Sequence, residues 1–202
     1  MGGPVCLDFV NTLDDRVTDQ PKELLNSYID LARFAEDTGI LDDLRVDRLI
    51  TRSQQNQEAA ERALRVAIDM REAMYAVLWA IVNRKPVQGA PLHVLNQFIQ
   101  AAAQHVSLVP ARGHMEWQFD SVRTDFEMPL WPIARSAAEL LSSDQLALVR
   151  PCAAKNCAWL FLDQSKNHRR IWCDMTKCGN RAKAKRFYTR SRQASDQVVP
   201  PT

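Results

Sequence analysis

The 202 residues are 46% hydrophobic and 25% charged with only 6 glycines, a composition that excludes a disordered or collagen-like chain. The longest unbroken apolar run, Ala73 to Val82, has ten residues. A bilayer-spanning helix needs about 20, so no membrane span is expected. The net charge of +2 hides a division, because residues 150–193 carry 12 Lys/Arg against Asp163 and Asp174, a net +10, while residues 1–149 carry −7.

The opening Met1-Gly-Gly-Pro-Val-Cys-Leu-Asp has no basic n-region and reaches Asp8 before any apolar h-region, so a secretory signal is not expected and a cytoplasmic setting follows. Alternation of Val5, Leu7 and Phe9 with Cys6, Asp8 and Val10 predicts a short strand. Pro21 then suits the first position of a helix carrying Leu24, Leu25, Tyr28, Leu31, Ala32 and Ala35, which Gly39 closes. A shorter helix is predicted over 42–50. The clearest one runs over 54–83, where Leu64, Ala67, Ile68, Arg71, Met74, Tyr75, Leu78, Trp79 and Val82 recur on one face. Arg71 within that apolar stripe has two readings, a satisfied core arginine or an anion-binding one. Another helix follows over 92–103. Strands over 106–109 and 115–119 flank the turn Pro110-Ala-Arg-Gly113 as a hairpin. Helices over 128–141 and 144–149 finish the body. The small sheet is expected to unite the first strand with the hairpin.

Four of the five cysteines lie in the basic quarter. Cys152 and Cys157 form a C-x4-C pair, fifteen residues separate it from Cys173, and Cys173 and Cys178 form a second C-x4-C pair. Two short pairs joined by a hairpin-length spacer meet the need of a tetrahedral site. The reading is one structural Zn²⁺ held by four thiolates with no open position. Disulfides fit poorly with a reducing compartment, and an Fe–S cluster could also use four thiolates. Trp159 to Leu162 and Arg170 to Trp172 are expected to pair as the two strands of a zinc-bound hairpin. The turn between them holds His168, expected to face solvent or phosphate. Cys6 is expected to be a small buried apolar residue.

A helix beginning near Gly179 should place Phe187, Ala184 and Tyr188 against that hairpin. Arg181, Lys185 and Arg192 then form one flank, and Lys183, Arg186 and Arg190 the other. Like charges at i,i+4, Arg181 with Lys185 and Arg186 with Arg190, oppose an isolated helix by a few tenths of a kcal/mol each. An external polyanion relieves that repulsion, and nucleic acid is the obvious one. Arg169 and Arg170 on the hairpin, with Asn180 at the helix start, are further candidate contacts.

The string Cys178-Gly179-Asn180-Arg181, following a Trp-Cys strand, resembles the CGNR zinc-finger family. Cys152, Cys157, Asp163, Asn167, Arg170, Trp172, Cys173 and the Lys/Arg-rich helix share the likeness. Cys6-Leu-Asp-Phe-Val-Asn-Thr12 resembles the opening of the ABATE domain, which commonly precedes this finger. The resemblance implies a bacterial, stress-related transcription regulator whose finger binds DNA while the N-terminal domain senses a small ligand or partner.

The expected class is therefore α+β. A mostly helical N-terminal domain with a small antiparallel sheet occupies 1–149, a zinc-bound β-hairpin and helix 150–193, and a flexible tail 194–202. The leading function is a DNA-binding regulator. An RNA-binding protein could use the same helix, but exposed aromatics would then be expected for stacking. An enzyme or effector site in the body would draw on Asp8, Asn11, Thr12 and Arg71. No triad, phosphate loop, HExxH or paired carboxylates accompany them, so no enzyme is expected. A turn whose polar side chains satisfy backbone groups accounts for the same residues. The −7/+10 division also permits the finger to dock on its own body or on a second copy as a homodimer.

Overall fold

The computed structural model describes residues 3–119 and 125–196, the side chains at 186 and 190–196 excepted. Pro4 precedes α1 (Val5–Val10), whose fixed φ suits a helix start. The segment is a helix where alternation predicts a strand. Cys6, Leu7, Phe9 and Val10 are all buried, so the six residues have almost no polar face from which a period could be read.

After α1 the chain forms β1 (Leu13–Asp14) and β2 (Lys22–Glu23), an antiparallel pair with Leu13 opposite Glu23. The helix expected from Pro21 begins instead at Tyr28, as α2 (Tyr28–Asp37). Ser27 and Asp30 cap each other reciprocally, which sets the start there. Next come α3 (Asp43–Gln55), capped by Asp42, and α4 (Gln57–Val82), capped by Asn56. Then follow α5 (Gly89–Ala103) and the hairpin of β3 (Val106–Ala111) and β4 (His114–Phe119). The body ends with α6 (Leu130–Leu141) and a 3₁₀ turn over Asp144–Leu148, where a helix over 144–149 is predicted.

A single apolar core joins α1, α2, α4 and α6, with Phe9, Leu31, Met70, Met74, Leu78 and Ile133 fully buried. The described strands form three separate two-stranded sheets. The expected union of the first strand with the hairpin therefore fails, because that first strand is α1.

The third pair, β5 (Val149–Pro151) and β6 (Leu160–Leu162), brings the basic quarter onto the body. Val149, Leu160 and Leu162 belong to the same core as α1 and α4. The strand expected over 170–172 is absent, and β6 pairs with β5 instead. A π-helical turn over Met175–Gly179 leads into α7 (Asn180–Asp196). Among the described residues no helix is long and apolar enough to cross a membrane.

Candidate metal centre and basic face

The first thiol pair flanks a tight loop between β5 and β6. Cys152 N–H donates to the Trp159 carbonyl at 2.8 Å and Cys157 N–H to the Ala154 carbonyl at 3.1 Å. Ala158, next in the chain, has φ of 57°, a left-handed conformation unfavourable for a residue with Cβ. Tyr75 on α4 holds it there by donating from its hydroxyl to the Ala158 carbonyl at 3.0 Å. Burial pushes that phenol up to about 12.

Asp163, fully buried, organises the connection to the second pair. Its carboxylate accepts from the Ser165 N–H at 3.0 Å, the Ser165 hydroxyl at 2.6 Å and the Arg170 N–H at 3.0 Å. The bonds from Ser165 come first in holding the acid below its ordinary range. His168 is exposed, with Nδ1 2.9 Å from the Asp163 carbonyl. Arg170 then curls back. Nε donates to the Trp172 carbonyl at 2.8 Å, a second guanidinium nitrogen donates to the Cys173 carbonyl, and the group lies 4.9 Å from the Phe161 ring centroid. These bonds bend residues 170–173 away from strand geometry, which explains the missing return strand.

The second pair spans the π turn. Gly179 N–H donates to the Asp174 carbonyl at 3.1 Å, and the Asp174 carboxylate caps the turn by accepting from Thr176 and Lys177. Gly179 lies against the indole it faces. A Cβ there would stand 2.4 Å from Met175 Sδ and 3.2 Å from Trp172 Cδ1.

These loops bring the Sγ atoms of Cys152, Cys157, Cys173 and Cys178 within 4.8 Å of one another. Cys173 Sγ lies 3.6 Å from both Cys157 Sγ and Cys178 Sγ. Zn–S bonds of about 2.3 Å in a tetrahedron place sulfurs about 3.8 Å apart, so the cluster fits the ion. Without a cation, hydrogen bonds from Cys157 and Cys173 pull the Cys152 thiol far down. Donating those bonds pushes Cys157 and Cys173 up. The crowded sulfurs resist carrying four charges unless a metal balances them.

A family model described as "Putative stress-induced transcription regulator" (ABATE) matches residues 3–144, and a CGNR zinc-finger model matches residues 149–191. The chain belongs to the ABATE family. Its C-terminal quarter is a CGNR zinc finger, and the four cysteines form its single zinc-binding site. No curated protein matches the chain.

In this ABATE protein three of the four predicted effector residues have structural partners. Asn11, the residue ending α1, donates from Nδ2 to the Leu160 carbonyl at 2.8 Å and accepts from the Leu160 N–H at 2.9 Å. It thereby extends the β5–β6 pair by one amide and joins the two family regions. Thr12 donates to the Phe9 carbonyl at 2.7 Å and accepts from Arg71 at 3.2 Å. Arg71, 2% exposed, makes a bidentate pair with Glu23 at 2.6 and 2.7 Å and donates from Nε to Glu72 at 2.9 Å. Asp8 differs. It is half-buried, with no hydrogen-bond partner among the described residues, and burial raises its carboxyl. It borders a cleft of about 400 Å³ that Trp159 and Arg170 also line. Cys6 is fully buried, with its thiol pushed up to about 11 by burial.

Removing the Asn11 amide leaves a buried N–H and a buried C=O of Leu160 unpaired. At about 1–3 kcal/mol per orphaned group, Asn11→Ala is expected to cost about 3 kcal/mol in urea unfolding. Amide exchange at Leu160 should also speed up. A cost within about 0.5 kcal/mol, the range of an ordinary surface change, would show that the joint carries no strain.

Among the predicted DNA contacts, Arg169, Asn180, Arg181, Lys183 and Lys185 are exposed. Arg170 is exposed too, but its guanidinium holds the two carbonyls above. The side chains of Arg186, Arg190 and Arg192 lie outside the described residues, as does the end of the expected tail, 197–202. Phe187 and Tyr188, expected to pack on the finger, are instead each 69% exposed. Their rings meet edge to face with centroids 5.9 Å apart. Sequence reasoning left Lys155 and Trp172 out of the basic face.

Proposed function

We propose that this zinc-binding ABATE protein is a DNA-binding transcription regulator whose finger grips DNA through the start of α7. One observation carries the reading. Every ion pair found between described residues lies in the body, including Arg16–Glu72, Arg33–Glu36, Arg62–Glu58, Arg71–Glu23 and Arg135–Glu139. The exposed cations Arg169, Arg181, Lys183 and Lys185 have no acidic partner among the described residues. The ion pairs tie body cations into the fold, whereas these four finger cations are left for an external anion.

The test is the salt dependence of duplex binding. Each phosphate neutralised contributes about −0.9 to the slope of log K against log salt. Arg181→Ala and Lys185→Ala are each expected to flatten that slope by about 0.9 and to leave zinc content unchanged. Unchanged slopes would remove the start of α7 from the interface.

A ligand-sensing role for the body is proposed at Asp8, the one predicted effector residue without a hydrogen-bonded partner among those described. A cytoplasmic location fits a regulator, and neither matched family is an enzyme family. A second reading, single-stranded RNA, is favoured by the exposed Phe187 and Tyr188, since stacking needs such rings. Competition between duplex DNA and single-stranded RNA separates the two.

A further inference from the structure

Between the first cysteine loop and α7 lies a recess of about 480 Å³. Its apolar lining includes Trp172, Cys178 and the small side chains Ala153, Ala154 and Ala182, and its cations are Lys155, Arg181 and Lys185. All three cations are exposed, and none has an acidic partner among the described residues. Gly179 lets the chain pass close to the Trp172 indole, which fixes one wall.

This combination selects a ligand. An inorganic phosphate would use the cations and leave the apolar walls idle. A purely apolar ligand would leave three positive charges facing it. A flat aromatic group bearing a phosphate satisfies both, and the volume lies within the range of small-molecule sites, about 300–1,000 Å³. A paired duplex can bring its phosphates to these cations but keeps its bases stacked on one another and away from Trp172, whereas a single unpaired nucleotide can present both. Extruding one costs least where it is already unpaired.

We propose that the recess holds one nucleoside phosphate, its base against Trp172 and its phosphate on Lys155, Arg181 and Lys185. The nucleotide comes either free from solution or as an unpaired residue of a bound strand. The inference rests on the nucleic-acid reading of the same helix and adds Lys155 and Trp172 to it.

The experiment uses full-length, zinc-loaded protein and two pairs of probes. Adenosine monophosphate is compared with inorganic phosphate, and a duplex with one unpaired adenosine is compared with the same duplex carrying an abasic residue there. Stacking on an aromatic ring leads to a preference of about tenfold for the base in at least one pair. A preference in the first pair identifies a free nucleotide, and one in the second pair a strand. Trp172→Leu is expected to abolish that preference, and Lys155→Ala, which removes a phosphate contact, to weaken binding of the preferred probe about tenfold. Should Trp172→Leu lose zinc, Lys155→Ala decides alone, because that side chain is exposed. The inference is overturned if neither pair shows a preference, or if Lys155→Ala leaves the affinity of the preferred probe unchanged. Paired-duplex binding reports separately on the DNA reading. Binding without a base preference keeps that reading and removes the recess. A base preference for the monophosphate without duplex binding does the reverse.

Discussion

Chelating the zinc ion is expected to unfold residues 152–158 and 163–179 and to abolish duplex binding while the helical body keeps its fold. The finger around the four cysteines has almost no core of its own: Cys152, Cys157, Cys178 and Phe161 are its buried members, with Trp159 and Trp172 packed beside them. Metal binding is worth about 10–16 kcal/mol in comparable zinc peptides, far more than so few apolar contacts supply. Strands β5 and β6 should survive, since Val149, Leu160 and Leu162 are buried with α1 and α4. Amide exchange, read with and without chelator, should therefore show loss of protection on both sides of β6 but not within it. Retained protection at Cys173 to Gly179 in metal-free protein would show that the loops fold without zinc. Because the thiols must lose protons to bind the ion, acid should release the metal and reproduce the effect.

Arg71→Met is the second change with a large expected effect, a loss of about 3–4 kcal/mol in urea unfolding. The guanidinium is almost wholly enclosed and joins Glu23 on β2, Glu72 on its own helix and the Thr12 hydroxyl. Methionine fills part of the space but strands the Glu23 carboxylate, which is still partly exposed and so limits the loss. Burial pushes Glu23 up, yet its bonds with Arg71 and the Leu25 amide outweigh this and leave it below its ordinary range. The stabilisation from Glu23 is therefore complete above the ordinary glutamate range and is lost as pH falls through the lowered value. Arg71→Met should flatten that acid dependence. Near-normal stability would instead favour the reading of Arg71 as an arginine held for an anionic ligand.

The zinc ligands were legible because thiol spacing is local chemistry. C-x4-C closes the same small loop whatever surrounds it, and Cys152, Cys157, Cys173 and Cys178 do converge. Helix α4 was legible because 26 residues hold several turns of one apolar stripe. Helix α1 was not, since its six residues are buried almost all round and an alternating string fits either period. The partner of β6 was missed for a different reason. Val149–Pro151 directly follows a 3₁₀ turn, and nothing local reveals that Asp163 and Arg170 draw residues 163–173 out of strand geometry. The outward turn of Phe187 and Tyr188 could not be read from a helical wheel, which orders faces but does not say which one meets the finger.

The Asn11 amide has a consequence for anyone who would move this finger onto another protein. A transplant beginning at residue 149 would carry Leu160 with its main-chain groups exposed on one side and leave behind the side chain that completes them. A workable graft must therefore bring α1 from the far end of the chain, or supply a carboxamide at the same spot. Recombination that shuffles the two regions as independent cassettes is disfavoured for the same reason.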